Sequence, residues 1–389
     1  MEYITTKEAS IKWNISLRRV QKLCEQKRIL GIKRIGRNWM LPACTEKPAD
    51  LRCEKKLSQG ISSEIESIIE LTFLPMPKHN PDSILDNIKD EWAQLQYEAE
   101  IAYLRGDFQR TMSCYGKMQC KDAAKLRVCL IAVAAAISLG DYSKYMEMEN
   151  YLKEKVNKGG SDAVFAELSI ITAAVSCISP NLVPDWLKVG NIEAVPLQVC
   201  YYALYLRAKY FQCIGKYEDM LVLAQTALTL CESKNGLTLT DIYLRMCCVV
   251  AYHALEQEDK ASIILLETMK IALPHGFITP FAENVTALGG LIEKCILKEF
   301  PNYHKAIINQ CMQTFRNWTT FHNHFTNDNL TLILTLREYH IAQMVARRVP
   351  YEKIAKQQCI SVGRVKNIMV EVYGKLFISG REELSKYVF

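Results

Sequence analysis

The chain has 389 residues, of which 49% are hydrophobic, and a formal net charge of +6 at pH 7. This length exceeds one typical domain and predicts two or three globular domains. No run of about 18 uncharged apolar residues occurs, and no basic segment followed by an apolar core opens the sequence, so neither a transmembrane helix nor a secretory signal is expected.

Residues 1–48 are predicted to form two short helices followed by a β-hairpin. The helix signals are a capping-box pair, an N-cap serine and a C′ glycine: Thr5 with Glu8, Ser16 and Gly31. The stretch 36–38 (Gly-Arg-Asn) separates two short β-prone runs, as in a hairpin. This order of elements describes a winged helix-turn-helix.

The same segment resembles the winged-helix domain of excisionases and MerR-like proteins. The resemblance rests on the Thr-x-x-Glu-Ala start, the Arg-Arg-Val-Gln helix and the Ile-Gly-Arg-x-Trp-x-Leu-Pro wing. It implies that the second helix enters the major groove of DNA while the wing grips phosphate or a minor groove. The candidate DNA-binding residues are basic side chains on that helix and on or beside the wing: Arg18, Arg19, Lys22, Arg34 and Arg37. The alternatives are a solvated basic surface and the recognition of a protein partner.

Positive charge is concentrated at the two ends of the chain. Residues 1–56 carry a net charge of +8 and residues 334–389 a net charge of +5, which leaves −7 for residues 57–333. Basic ends on an acidic middle are typical of nucleic-acid-binding domains joined to a body that does not bind nucleic acid.

Residues 49–90 are predicted to be a linker with one short helix at 61–73, because prolines and a Ser-Gln-Gly-Ile-Ser-Ser stretch interrupt the segment. Beyond Pro81 no proline occurs until Pro180, which permits long helices.

The region 91–330 contains recurring turns of the form Gly-x-aromatic. Two copies, 106–108 and 140–142, lie 34 residues apart; a third is 215–217 and a weaker fourth lies at 256–261. Thirty-four residues is the tetratricopeptide period, and the region resembles tetratricopeptide repeats in its turns and small residues, although the Trp and Pro landmarks are mostly missing. The resemblance implies an α-solenoid with a concave face. Four tyrosines either line that face or belong to the core: Tyr201, Tyr202, Tyr205 and Tyr210.

Four helices are predicted at the C-terminal end, residues 331–389. Their starting signals are two capping-box pairs, a proline and an N-cap serine: Thr335 with Glu338, Ser379 with Glu382, Pro350 and Ser361. On the third helix a buried stripe repeats at 3.6-residue spacing: Val365, Met369, Val372 and Leu376. Lys366, Asn367 and Val370 fall on the opposite side, as suits a helix that enters a major groove.

Residues 334–384 resemble the LuxR-type (GerE-like) helix-turn-helix of bacterial transcription regulators. The landmarks are the Leu-Thr-x-Arg-Glu opening followed by Ile341, Val345-Ala346, Ile354-Ala355, Ile360-Ser361, Val365-Lys366, Lys375-Leu376, Ile378 and Arg381. The resemblance implies that Lys366, Asn367 and Val370 read bases. It also implies a homodimer on paired half-sites and contact with RNA polymerase.

This segment departs from the family pattern at five positions. Arg364 stands where the family has Thr, Ile368 where it has His, Arg348 where it has Gly, Pro350 where it has Ser, and Gln358 where it has Leu. Arg364 stands next to the base-reading positions and is a further DNA-binding candidate, and these departures leave the target DNA sequence open. The alternative for the segment is a helical module that has lost DNA affinity and only dimerises.

The chain has no recognisable catalytic motif and no phosphate-binding loop, so neither an enzyme nor a cofactor is expected. The 15 cysteines are scattered without a Cys-x-x-Cys, which favours reduced thiols in a cytoplasmic protein. His322 and His324 form the only tight histidine pair and lack a cysteine at ligand spacing, so no metal is expected.

The sequence thus predicts a mainly α fold with a winged helix-turn-helix, a solenoid body and a four-helix LuxR-type unit. The predicted function is that of a transcription regulator that binds double-stranded DNA and does not associate with a membrane. Its body is predicted to receive a signal, which is a small-molecule ligand, a peptide or a protein. The alternative function is a scaffold or adaptor whose helix-turn-helix units serve assembly.

Overall fold

The computed structural model describes residues 3–13, 15–25, 29, 31–36, 38–43, 45, 81–86, 88–118, 122–231, 238–326, 334–376 and 378–384. The chain is mainly helical with one small sheet, which confirms the predicted fold class at that level. It divides into two compact units, residues 1–67 and 68–389. Within the described ranges, no helix has the length and apolar character needed to cross a lipid bilayer.

The first unit combines two helices with a three-stranded antiparallel sheet. Its elements are β1 (Tyr3–Thr5), α1 (Thr6–Lys12), α2 (Leu17–Glu25), β2 (Lys33–Ile35) and β3 (Asn38–Pro42). The hairpin β2–β3 occurs where it was predicted, with Ile35 opposite Asn38. Strand β1 was not predicted; it pairs with the other edge of β3, where Tyr3 lies opposite Pro42.

The capping box at the start of α1 is confirmed. The Glu8 N–H donates to Thr5 Oγ1 at 3.3 Å, and the Thr5 N–H donates to Glu8 Oε2 at 2.7 Å. These hydrogen bonds lower the pKa of the Glu8 carboxyl. The described part of α2 ends at Glu25, and most of the segment between it and Gly31, the predicted C′ glycine, lies outside the described residues. Gly31 has φ +79°, and a Cβ there would lie 3.0 Å from Pro42 Cγ, so this glycine permits a close approach to the end of β3.

The second unit begins, in the described residues, with the short helix α3 (Asp82–Leu85). Arg105 forms a bidentate ion pair with Asp82 at 2.8 Å, which joins α3 to the following helices. The helix predicted at 61–73 lies outside the described residues.

A succession of helix pairs makes up most of the second unit. In four of the five pairs the two helices pack on each other, and the first helices of neighbouring pairs form a continuous layer; the short helix Asp185–Val189 packs mainly on the helix that follows it. The pairs are α4 (Glu91–Leu104) with α5 (Phe108–Lys117), α6 (Asp122–Leu139) with α7 (Tyr142–Lys158), α8 (Ser161–Ser176) with α9 (Asp185–Val189), α10 (Leu197–Cys213) with α11 (Tyr217–Cys231), and α12 (Leu239–Ala254) with α13 (Glu258–Ala272).

The first helix of every pair ends in the same backbone turn. One residue adopts a left-handed conformation, and its N–H and the next N–H return to carbonyls of the last helical turn. Glycines occupy this position in the three clear copies of the predicted turn: Gly106, Gly140 and Gly215, with φ of +80°, +74° and +74°. Glu256 occupies it in the weaker fourth copy at φ +60°, and Ile178 in an unpredicted one at φ +54°. The sequence pattern missed the turn at Ile178 because that residue is not glycine.

Four helices follow the pairs: α14 (Thr279–Ala282), α15 (Val285–Leu288), α16 (Gly290–Glu299) and the long α17 (Pro301–Thr326). Helix α17 crosses the carboxyl ends of α6 and α8 and hydrogen-bonds to a carbonyl near the end of each. Asn317 Nδ2 donates to the Ser138 carbonyl at 2.7 Å, and Trp318 Nε1 donates to the Ser176 carbonyl at 2.9 Å. A Cβ on Gly140 would lie 2.8 Å from Asn317 Cγ, so the glycine turn also allows this close crossing. We call α4–α17 the helical body.

The last described elements are α18 (Leu336–Ala346), α19 (Tyr351–Gln357), α20 (Val362–Leu376) and α21 (Arg381–Leu384). They share a hydrophobic core to which the predicted stripe of α20 contributes. The capping box of Thr335 and Glu338 is confirmed, and Ser361 Oγ accepts a hydrogen bond from the Arg364 N–H at 3.1 Å, as an N-cap should.

The predicted capping box of Ser379 with Glu382 is wrong. The Ser379 N–H donates to Glu383 Oε1 at 3.0 Å, whereas the Glu382 carboxylate lies 3.4 Å from the Arg348 guanidinium. Helix α21 has a single turn, so a carboxylate one position further along can reach back to the same N–H.

Candidate functional site

The exposed face of α20 carries the side chains predicted to read DNA. Lys366 and Asn367 are exposed, and Val370 is 69% exposed. Arg364 is exposed at the start of the same helix, 3.7 Å from Glu371. Because the buried stripe fixes the other side of α20, these side chains form one outward-facing edge.

Two polar contacts hold α20 and α21 onto α18. Lys375 lies 2.7 Å from the buried Glu338 carboxylate, and Arg381 Nε donates to the Val345 carbonyl at 2.7 Å. Burial alone would raise the pKa of the Glu338 carboxyl, but hydrogen bonds from Lys375 and Thr335 outweigh it and lower that pKa. The exposed edge of α20 is therefore held on a rigid support.

Helices α18 and α19 pack against the helical body. The Gln357 carbonyl lies 3.1 Å from His253 Nε2, and Gln357 Nε2 donates to the Ala254 carbonyl at 3.0 Å. Arg347 donates to the Cys213 carbonyl at the end of α10. Glu256, the left-handed residue of the fourth turn, lies 3.4 Å from Lys353 on α19. These contacts use α18 and α19 and leave the edge of α20 uncovered.

The basic face predicted in the first unit is partly described. Arg18 and Lys22 are exposed on α2, and Arg34 is exposed on β2. The Arg34 guanidinium lies 5.4 Å from the Trp39 ring, its cross-strand partner on β3. Arg19 belongs to α2, but its side chain is not among the described ones, and Arg37 lies outside the described residues.

A cavity of about 200 Å³ lies between the helical body and α18, and the sequence did not predict it. Its walls come from the layer of first helices, from α17 and from α18. Glu283 is exposed although protein surrounds it, so its free surface faces this cavity. The Tyr103 hydroxyl donates to Glu283 at 2.6 Å, and burial nevertheless raises the pKa of the Glu283 carboxyl.

Basic groups also face the cavity. Lys209 on α10 and Arg347 on α18 line it, together with His340. Burial, followed by the charges of Arg347 and Lys209, lowers the pKa of His340 from 6.5 to about 4. His340 is therefore neutral at pH 7, and the cavity combines one carboxylate with two cations.

Acid is expected to destabilise the protein through His340. Because the pKa of His340 is depressed to about 4 in the folded chain, its contribution to stability is present above about pH 6.5 and is lost as the pH falls toward 4. A shift of this size corresponds to at most about 3 kcal/mol, since one pKa unit is about 1.4 kcal/mol. We expect the His340→Gln variant to lose less free energy of unfolding than the wild type between pH 7.5 and pH 4.5, as measured by urea titration.

His304→Gln, on the first turn of α17, is the matched control and should keep the wild-type pH dependence. The prediction fails if His340→Gln and the wild type lose the same free energy of unfolding on acidification.

The four tyrosines singled out in the sequence have mixed roles. Tyr202 is buried, and its hydroxyl forms a hydrogen bond of 2.9 Å with the Thr172 hydroxyl. The Tyr201 hydroxyl donates to the Asp241 carboxylate at 2.6 Å. Of the four tyrosines, only Tyr205 lines the cavity. Tyr210 is half-buried beside Phe211. Glu283 was not predicted to be a site residue. Its position as a lone acidic residue after the apolar run Pro-Phe-Ala at 280–282 is a sequence signal that could have identified it.

Most of the cysteines that the structure describes are buried, and none of those described forms a disulfide. His322 and His324 do not share a ligand geometry: His322 Nδ1 lies 2.7 Å from the Cys177 carbonyl, and His324 Nδ1 lies 2.9 Å from the Tyr142 hydroxyl. Both histidines thus have structural partners in the body.

Comparisons of the chain with protein-family models, with curated proteins and with solved structures gave no match.

Proposed function

We propose that the protein is a cytoplasmic, sequence-specific DNA-binding transcription regulator. In this proposal α18–α21 are a LuxR-type helix-turn-helix, residues 1–48 are a winged helix-turn-helix, and the helical body is a tetratricopeptide-like solenoid that receives a signal. The observation that carries the proposal is the uncovered edge of α20, where Lys366, Asn367 and Val370 stand together.

The chemistry of this edge suits the major groove. A lysine can donate to guanine O6 and N7, an asparagine can pair with adenine N6 and N7, and an apolar side chain can contact the thymine methyl group. An α-helix fits the width of the groove, and Arg364 at its start is placed to contact a phosphate. In this proposal Val370 supplies the apolar contact.

The first unit supplies a second basic surface in this proposal. Arg18 and Lys22 lie four residues apart on α2 and so project from one side of that helix. Arg34 extends the positive charge onto the sheet, where Arg37 also follows in sequence. We further propose that the protein acts as a homodimer, whose two α20 helices would read half-sites spaced by about one helical turn of DNA, and that it contacts RNA polymerase.

Replacing Lys366 with alanine is expected to weaken binding to a selected duplex by roughly 1–3 kcal/mol, because a base-reading contact would be lost. The duplex is first obtained by selection from random double-stranded DNA with the full chain. Affinity is then measured by fluorescence anisotropy for that duplex and for a scrambled one of equal length. A specific role predicts a loss on the selected duplex only.

Lys298→Ala is the matched control, since Lys298 is an exposed lysine on α16 of the body, and it should leave both affinities unchanged. Equal losses of Lys366→Ala on both duplexes would assign Lys366 to a phosphate instead of a base. A folded chain with no measurable affinity for any duplex would favour a scaffold or adaptor and would refute the proposal.

A further inference from the structure

We propose that the cavity between the helical body and α18 is a binding site for a free α-amino acid. The ammonium group of the ligand would meet Glu283, and its carboxylate would meet Lys209 and Arg347. The binding site itself does not depend on the function proposed above. The further proposal that ligand binding changes the affinity for DNA does rest on that function.

The Glu283 end of the cavity suits an ammonium group. The Tyr103 hydroxyl donates to Glu283 at 2.6 Å, and the positive charge of Lys209 also acts on this carboxylate. The rings of Tyr205 and Tyr243 line the cavity with their centroids 5.4 Å apart. A carboxylate beside aromatic rings attracts a cation both by its charge and through the ring faces. A ligand ammonium would therefore pair with a carboxylate whose free surface faces the cavity.

The opposite charge is supplied by two basic side chains on different elements. Lys209 projects from α10 with its Nζ 2.7 Å from Gln212 Oε1, and Arg347 projects from α18 with its guanidinium anchored on the Cys213 carbonyl. Both side chains line the cavity, where the charge of Lys209 also acts on Glu283, and His340 beside them is held neutral. An anionic ligand group would meet two cations there, and a guanidinium is well suited to bind a carboxylate.

The size of the cavity suits a small molecule. An apolar protein cavity of about 150 Å³ is known to hold benzene, and this cavity of about 200 Å³ is only slightly larger. Pockets for drug-sized ligands start at about 300 Å³. A single amino acid meets both the size and the requirement for one positive and one negative group; a peptide or a protein helix is too large unless α17 or α18 moves.

The position of the cavity connects ligand binding to α20. His340, Gln343 and Arg347 line the cavity from one side of α18, while Glu338 and Val345 of the same helix hold α20 and α21. A ligand that bridges Glu283 and Arg347 would tie α18 to the helical body. By linkage, any change that the ligand makes in DNA affinity must be matched by an equal change that DNA makes in ligand affinity.

The site is tested with the full chain and each standard amino acid at millimolar concentration, with thermal shift as the screen and calorimetry for the compounds that raise Tm. n-Butylamine and butyrate serve as half-ligands with only one of the two charges. We expect at least one amino acid to bind, and both half-ligands to bind at least ten-fold more weakly. Glu283→Gln and Lys209→Met should each weaken amino-acid binding at least ten-fold.

The matched controls are Glu267→Gln and Lys298→Met, exposed residues of the body that do not line the cavity, and both should bind like the wild type. If Glu283→Gln does not fold, Lys209→Met and quenching of the cavity-lining Trp318 fluorescence keep the test decisive. Failure of every amino acid to bind, or binding that survives both cavity substitutions, overturns the site.

DNA affinity is measured separately, with and without the bound amino acid. A change of five-fold or more, with the reciprocal change in ligand affinity, supports regulation through α18. Ligand binding without any effect on a measurable DNA affinity overturns the regulatory part. Ligand binding to a chain that never binds DNA instead refutes the proposed function and leaves the amino-acid site standing.

Discussion

Raising the salt concentration from about 50 mM to about 200 mM is expected to weaken DNA binding by a factor on the order of 10³–10⁵, the range for proteins that neutralise about six to ten phosphates. The physical reason is the release of counterions from DNA by cationic side chains. The two ends of the chain carry net charges of +8 and +5, and Arg18, Lys22, Arg34, Arg364 and Lys366 are exposed on them. Fluorescence anisotropy at a series of salt concentrations gives the slope of log affinity against log salt.

Substitutions in the first unit separate its contribution to this slope. If Arg18 and Lys22 each contact a phosphate, the double variant Arg18→Ala with Lys22→Ala should lower the slope by about two, at about one per contact. Lys298→Ala on the body should leave the slope unchanged. A double variant with the wild-type slope would show that this face of α2 does not touch DNA, and affinity that is insensitive to salt would contradict the regulator as a whole.

Replacing Trp318 with alanine is expected to lower the free energy of unfolding by about 3–5 kcal/mol, the usual cost of truncating a buried tryptophan. Trp318 is 7% exposed and stacks on the His322 ring with centroids 4.6 Å apart. Its ring also meets Tyr339 of α18 edge-on at 6.3 Å, and its Nε1 caps α8 at the Ser176 carbonyl. The substitution thus removes packing among three helices and the hydrogen bond to the Ser176 carbonyl. Urea unfolding followed by circular dichroism measures the loss.

Two further variants serve as controls for the Trp318→Ala measurement. Trp318→Phe keeps most of the ring and should lose clearly less stability than Trp318→Ala. Trp186→Ala removes a half-buried tryptophan on α9 and should also cost less, since less apolar surface leaves the core. If Trp318→Ala cost no more than Trp186→Ala, then α17 would not be the packing centre that its contacts indicate.

Local signals were sufficient to predict many of the helix boundaries. The capping box of Thr335 and Glu338 and the glycine turns at Gly106 and Gly140 depend on backbone groups within a few residues, and they occur where they were predicted. The exposed edge of α20 followed from 3.6-residue periodicity for the same reason. Single-turn helices such as α21 gave weaker signals, because neighbouring carboxylates can substitute for one another.

Features that bring distant segments of the chain together could not be predicted from local sequence patterns. The cavity needs Lys209, Glu283 and Arg347, which lie on three separate segments, and no spacing rule links them. The turn at Ile178 repeats the glycine geometry with a side chain that normally avoids it, at a cost on the order of 1–2 kcal/mol that tertiary packing must offset. His322 was noticed only as half of a histidine pair, whereas its actual partner is a backbone carbonyl at the end of α8.

Helix α17 already covers part of the helical body. It lies across the carboxyl ends of α6 and α8, so a polypeptide that docked on this surface would compete with a segment of the same chain. A tethered segment acts at a high effective concentration, in the millimolar range for short connections. A protein that docked on this surface would have to displace α17, whereas a small molecule can enter the cavity with α17 in place.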